Sequence, residues 1–169
     1  MNLAIWGCLI TIAVYDARDN RIPNKLLLFI LFLFVIENIL AGTPLTTLSK
    51  AFISGSLFFS IGLVFYFLKA MAPGDVKLLG VVGVIMDWGS LFTVSYWILL
   101  SGALIGCFYY LEMASVNPIR FKLWADKWLA YFLYGVKRDT YQQTVHQSEK
   151  LRMPFAPVVV IGLALHSYF

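Results

Sequence analysis

Long apolar runs separated by short polar breaks make up most of this sequence. Six such runs follow one another along the chain, at residues 2–15, 25–40, 51–68, 76–86, 91–111 and 154–169. Apolar runs approaching about 20 residues are typical of helices that cross the hydrocarbon core of a bilayer. The pattern therefore predicts an all-α, polytopic membrane protein with about six short transmembrane helices. The 169 residues suit a single membrane-embedded domain.

A polar stretch at about residues 112–152 separates the last two runs. Within it, Phe121, Trp124, Trp128 and Phe132 recur at about helical spacing. Aromatic residues on one face of a charged helix are typical of a helix lying in the headgroup region of a membrane. We therefore predict an amphipathic surface helix here, acting as a connector or as a contact for a substrate.

Composition and charge agree with this membrane assignment. Hydrophobic residues make up 60% of the chain and charged residues 13%, with a mean hydropathy of +0.80. Soluble domains carry about 25% charged residues. The net charge of +4 does not indicate nucleic-acid binding, because the basic residues are scattered between the apolar runs.

The basic residues also predict the orientation. All but Lys50 of the thirteen lysines and arginines fall in three segments, 16–25, 69–77 and 112–152. Basic residues concentrate in cytoplasmic segments. The prediction is that these three segments face the cytoplasm and that both termini lie outside.

The two cysteines do not indicate a metal site. Cys8 and Cys107 lie inside apolar runs, without CxxC spacing or a neighbouring histidine. We expect packing roles for both, and no metal or other cofactor.

Two aspartates occupy costly positions beside the apolar runs. Asp16 follows the first run, and Asp75 precedes the fourth. The first run reaches about 21 Å as a helix, short of a hydrocarbon core of about 30 Å, so this helix must continue past Asp16 or the bilayer must thin there. Both carboxylates are thus expected near the cytoplasmic surface. An ionisable residue at such a depth is a functional hypothesis by default.

Two neighbouring carboxylates can share one proton, as in aspartic proteases, and activate water without a metal. Simpler roles remain open at this stage. Asp75 could cap the fourth helix, and Asp16 could pair with Arg18 or Arg21.

The other acidic residues and the histidines are not expected to join this pair. Asp19 is expected to be solvated. Glu37, Asp87 and His166 are expected near the outer surface, too far away to join the pair, and His146 falls in the polar loop.

Three short segments resemble the motifs of one family. Residues 16–24, Asp-Ala-Arg-Asp-Asn-Arg-Ile-Pro-Asn, resemble the first active-site motif of type IV prepilin peptidases. Residues 72–79, Ala-Pro-Gly-Asp-Val-Lys-Leu-Leu, resemble their second motif, GxGDxK. Residues 154–157, Pro-Phe-Ala-Pro, resemble a further feature at the start of the last helix. The three occur in the order found in the family.

The resemblance implies a function and a set of site residues. Asp16 and Asp75 would be the catalytic aspartates of a bacterial inner-membrane peptidase. The partners would be the lipid bilayer and prepilin or pseudopilin substrates, cleaved after a glycine at the cytoplasmic surface, and a homo-oligomer is possible. The residues expected to bind substrate or shape the site are Pro23, Asn24, Gly74, Lys77, Pro154, Phe155 and Pro157.

The sequence also departs from the family pattern. Ala72 replaces the first glycine of GxGD, which would matter if that position required a positive φ. The cysteine-rich N-terminal region of the bifunctional enzymes is not present in these residues, so N-methylation is not expected. The short form resembles the peptidases of tight-adherence (Tad) pilus systems.

Two other functions stay open as hypotheses. One is an ion-coupled transporter or channel that uses the acidic pair, and the other is a non-catalytic component of pilus or secretion assembly.

Overall fold

The computed structural model describes residues 2–86, 88–116 and 154–169, and these residues form helices joined by short turns. The six α-helices are α1 Leu3–Asp19, α2 Asn24–Leu40, α3 Leu45–Phe67, α4 Pro73–Ile85, α5 Leu91–Val116 and α6 Phe155–Tyr168. A single 3₁₀ turn, Trp88–Ser90, precedes α5. The prediction of an all-α protein is confirmed for the described residues. The amphipathic helix predicted at residues 121–132 lies outside them.

Among the described residues, two helical segments are long and apolar enough to cross a membrane, by length and composition. They are Leu45–Phe67, with a mean hydropathy of 1.6, and Trp88–Glu112, with a mean hydropathy of 1.8. α6 is apolar but has only 14 residues. Many large apolar side chains point outwards, and Leu3 and Phe92 are 92% and 90% exposed. An exposed apolar surface of this kind suits a lipid environment.

The chain divides into two compact units, Met1–Gly102 with Pro154–Phe169, and Ala103–Met153. The described residues of the second unit, 103–116, are helical. One hollow in the first unit is lined by Ile5 of α1, Ile85 of α4 and Leu163 of α6, among others. The start of α1 and the ends of α4 and α6 therefore share one end of the bundle. The end of α1 and the starts of α4 and α6 consequently lie at the other end.

Glycines let α3 and α4 pack with their backbones in close contact. A Cβ atom at Gly83 would lie 2.9 Å from the carbonyl oxygen of Ser54, and one at Gly62 would lie 3.3 Å from Cα of Val76. The buried hydroxyl of Ser54 donates to the carbonyl oxygens of Ala51 and Gly83. Small residues and serine hydroxyls are typical contacts between helices in membranes.

The same type of contact joins α5 to α6. A Cβ atom at Gly162 would lie 2.7 Å from Cα of Ile98. The hydroxyl of Ser101 donates to the carbonyl oxygen of Val158 over 2.8 Å, and both groups are buried. These contacts fix the position of α6 within the first unit.

Two helix boundaries differ from the apolar pattern in a way that concerns the aspartates. α1 continues three residues past Asp16, which is one of the two alternatives that the length of the first apolar run left open. α4 begins at Pro73, three residues before its apolar run, because proline suits the first turn of a helix. Asp16 and Asp75 are therefore both helical residues, in the last turn of α1 and the first turn of α4.

Gly162→Ala is expected to destabilise the protein, because the new methyl group would meet the backbone of Ile98. Overpacking of this kind costs about 1–3 kcal/mol. Gly7→Ala is the matched control, since a Cβ atom there has no neighbour within 4 Å and alanine favours helix. Thermal unfolding of the purified proteins in detergent measures the difference. Equal midpoints for the two variants would contradict the close contact between α5 and α6.

Candidate active site

Asp16 is the most deeply buried acidic side chain that the structure describes. It is 5% exposed, and its Oδ2 accepts a hydrogen bond from the backbone N–H of Ala156 over 2.8 Å. Its main-chain carbonyl accepts the N–H of Asn20, whose φ of 49° ends α1 in the left-handed conformation that asparagine tolerates. Asp16 is thus held through its backbone at the end of α1 and through its side chain at the start of α6.

The start of α6 explains how a carboxylate can be buried there. Pro154 is the N-cap residue, and Ala156 is the second residue of the helix. The first N–H groups of a helix have no partner within it and carry the positive end of the helix dipole. A buried carboxylate is costly unless it is hydrogen-bonded. Ala156 supplies that bond. The sequence also allowed an ion pair between Asp16 and Arg18 or Arg21, but in the structure Nε of Arg18 lies 3.9 Å from Oδ1 of Asp19 instead.

Asp75 occupies a comparable position at the start of α4. It is the third residue of that helix, and its Oδ2 accepts the backbone N–H of Ala72 over 3.2 Å. This is one half of a capping box. Ala72, the N-cap residue, has no side-chain oxygen for the other half. The capping role allowed by the sequence is therefore observed, and it places the carboxylate at the N-terminus of α4.

Ala72 accommodates the change from the first glycine of the family motif. Its φ and ψ angles are −80° and 154°. These values lie in the extended region that any L-residue adopts without strain. The methyl group of Ala72 therefore costs no backbone strain in this conformation.

The turn between α1 and α2 lies against the start of α4. A Cβ atom at Gly74 would be 3.5 Å from Cβ of Ile22, an ordinary van der Waals distance. Nζ of Lys77 donates to Oδ1 of Asn24 over 3.1 Å. The structure thus brings the first motif into contact with the second, through the turn, and with the third, through Asp16.

A groove of about 630 Å³ opens beside this contact. The half-exposed side chain of Asp19 lies in it, as expected for a solvated residue. Pro23, the N-cap residue of α2, forms part of the wall. The residues that line the groove are Tyr15, Asp19, Arg21, Ile22, Pro23 and Asn24.

The remaining predicted residues of the third motif are structural parts of α6. Phe155 packs against a buried cluster that contains Phe58, Leu79 and Leu91. Pro157 is the third residue of the helix and has no N–H group. The geometry therefore gives the prolines the role of shaping the start of α6.

The other titratable residues singled out from the sequence do not join this group. Glu37 and His166 line the hollow of about 620 Å³ at the opposite end of the bundle, together with Ile5 and Ile85. Asp87 and His146 lie outside the described residues. The described residues contain no group of three or more histidine, cysteine or acidic side chains that could hold a metal ion. The candidate site consists of carboxylates and backbone N–H groups.

Sequence reasoning missed Ala156, because its contribution is a backbone group. The motif Pro-Phe-Ala-Pro drew attention to the two prolines and the phenylalanine. The available signal was the position of Ala156 in a first helical turn, where N–H groups seek acceptors. Which acceptor it meets, 140 residues earlier in the chain, depends on the tertiary fold.

Comparison with known proteins agrees with the motifs. The sequence model of the type IV leader peptidase family matches residues 3–111, a range that contains Asp16, Asp75 and the turn between α1 and α2. Comparisons with curated proteins and with solved structures gave no match. Since the family match covers well over half of the chain, the protein belongs to the type IV leader peptidase family, the aspartic-type prepilin peptidases.

Proposed function

We propose that Asp16 and Asp75 together activate water to cleave the leader peptide of a type IV prepilin or pseudopilin. The observation that carries this proposal is the position of the two carboxylates. Both lie at the same end of the bundle and at helix N-termini, Asp16 at that of α6 and Asp75 at that of α4. The family membership supplies the substrate class.

The chemistry follows from two carboxyl groups that hold one proton between them. The ionised group takes a proton from water while the water oxygen attacks the carbonyl carbon of the scissile peptide bond. The protonated group gives its proton to the carbonyl oxygen, which forms a neutral tetrahedral diol. Breakdown of the diol transfers a proton to the leaving nitrogen and releases a new carboxyl group and a new amine. No cofactor takes part in these steps.

The neighbouring motif residues are suited to holding an extended substrate. Gly74 has no side chain, so the first turn of α4 can lie close to Ile22 in the groove wall. The bond from Lys77 to Asn24 fixes the groove wall relative to α4. Pro23 lies in that wall, and Pro154, Phe155 and Pro157 define the start of α6. Cleavage after a glycine suits a confined site, because glycine brings no side chain to the scissile bond.

The reaction is assigned to the cytoplasmic surface of the bacterial inner membrane. The positive-inside rule puts the segments 16–25 and 69–77 in the cytoplasm, and these carry both aspartates. In this arrangement the six helices cross the membrane and both termini are outside. The shortness of helices such as α4, with 13 residues, supports a position of the aspartates near the membrane surface. The compact chain suits the short peptidases of Tad pilus systems.

Two features argue against the rival functions. A transporter uses acidic groups near the bilayer midplane, whereas Asp16 and Asp75 lie at one end of their helices. The other rival is a non-catalytic component of pilus or secretion assembly, and the reason for considering it was that Ala72 replaces the first glycine of the motif. The unstrained backbone of Ala72 removes that reason.

Asp16→Asn and Asp75→Asn are each expected to reduce cleavage of a prepilin by at least about 100-fold, the effect of losing a general acid or base. Asparagine keeps a side-chain oxygen that can accept the N–H of Ala156 or Ala72, so the fold should persist. Glu37→Gln is the control, because this side chain lines the hollow at the opposite end of the bundle. Cleavage is followed by the shift in substrate mobility on gels. Full activity in either asparagine variant would refute the proposed pair.

Cysteines introduced one at a time, into a protein in which Cys8 and Cys107 have been replaced, are expected to show which side of the membrane each turn faces. Arg21→Cys should react with a membrane-impermeant maleimide only after the cytoplasmic face has been opened. Thr43→Cys, in the exposed turn between α2 and α3, should react in intact spheroplasts. The opposite pattern of labelling would reverse the orientation and would place the aspartates on the outer face.

A further inference from the structure

We infer that the backbone N–H of Ala156 is a positioning group for Asp16 during peptide hydrolysis. The inference rests on the proposed catalytic role of Asp16 and adds a residue that the side-chain motifs do not contain. By binding Oδ2, the N–H fixes the plane of the carboxylate and turns its other oxygen, Oδ1, towards the reactants. Ala156 acts through Asp16 and does not itself touch the substrate.

The first support is the geometry of the bond. It is 2.8 Å long and buried, and it joins residues 140 positions apart in the sequence. A hydrogen bond to a charged group is shorter and stronger than one between neutral groups. Because Asp16 is 5% exposed, water has little access to replace Ala156 as the donor.

The second support is the composition of the first turn of α6. Its first four residues are Phe155, Ala156, Pro157 and Val158, and Pro154 precedes them. The prolines offer no N–H group. The turn therefore presents few donors, and the one at Ala156 is directed at Asp16. Few competing donors leave the carboxylate with one defined orientation.

The third support is the rigidity of the donor. Ala156 is fully buried in the same core cluster as Ile12 of α1. Further along α6, Gly162 touches the backbone of Ile98, and the carbonyl of Val158 accepts the hydroxyl of Ser101. A group that orients a catalytic side chain has to be held within about 0.5 Å by its surroundings. The close packing of α6 is suited to this requirement.

The bond also explains why the last helix belongs to the site. The family model matches residues 3–111 and does not include α6. Through Ala156, α6 contacts the side chain of Asp16 directly. Its first turn thus has a defined task in the reaction, in addition to completing the bundle.

The test removes the N–H and leaves the rest of α6 in place. Replacing Ala156 by lactic acid, through amber suppression in cell-free synthesis into nanodiscs, converts the amide into an ester that has no hydrogen to donate. Ala156→Gly is the matched control, because it shortens the side chain and keeps the N–H group.

For the ester variant we expect kcat for prepilin cleavage to fall by about 10- to 100-fold, the scale of a small misplacement of a catalytic group. KM should stay within about twofold of the wild-type value, and the unfolding midpoint should stay close to that of Ala156→Gly. The glycine variant should keep most of the wild-type kcat. A merely structural role would lower stability and active fraction without this selective loss of kcat.

Three results would overturn the inference. They are an ester variant that cleaves as fast as Ala156→Gly, a rise in KM at unchanged kcat, and equal losses in the ester and glycine variants. Asp16→Asn separates this failure from that of the proposed function. If Asp16→Asn is inactive and the ester variant is fully active, Asp16 remains catalytic and Ala156 does not position it. If Asp16→Asn is active, the proposed function itself fails, and the inference fails with it.

Discussion

The hydrogen bond from the N–H of Ala156 to the carboxylate of Asp16 is the contact on which the candidate site depends. It joins the end of α1 to the start of α6, and it compensates the burial of a polar side chain in an apolar bundle. Without it, Asp16 would have to turn towards solvent or towards the arginines that follow it. With it, Oδ2 is bound to the N–H of Ala156, and in the proposed mechanism Oδ1 is left for the reaction.

Helix termini supply the polar groups that an apolar bundle otherwise lacks. Asp75 at the start of α4 repeats the arrangement of Asp16 at the start of α6, since each carboxylate accepts an N–H group that has no partner within its helix. The antiparallel course of α1 relative to α4 and α6 brings these termini to one end of the bundle. A protein that is solvated by lipid can thus assemble two carboxylates without a polar core. The bond between Lys77 and Asn24 then holds the turn after α1 against α4.

Much of this could be predicted from the sequence, for identifiable reasons. The apolar runs gave the helices, because lipid and core packing both demand apolar residues, and Asp16 and Asp75 stood out because charges are costly beside such runs. The fourth apolar run, residues 76–86, did not show that Pro73 and Gly74 already belong to α4, since residues in the first turn of a helix need no apolar side chain. Ala156 could not be predicted, because its contribution is a backbone group whose acceptor is set by the packing of α6. The absence of strain at Ala72 likewise required its observed φ angle.

The most direct measurement of the central claim is the binding of a prepilin peptide whose scissile bond is replaced by hydroxyethylene, which mimics the tetrahedral diol. Isothermal titration on the protein in nanodiscs would compare the wild type with Asp16→Asn, Asp75→Asn and Glu37→Gln. If Asp16 and Asp75 act on one water molecule, the isostere should bind saturably, and each of the first two changes should weaken its binding, while Glu37→Gln should not. Undiminished binding by either of those two variants would contradict a shared site.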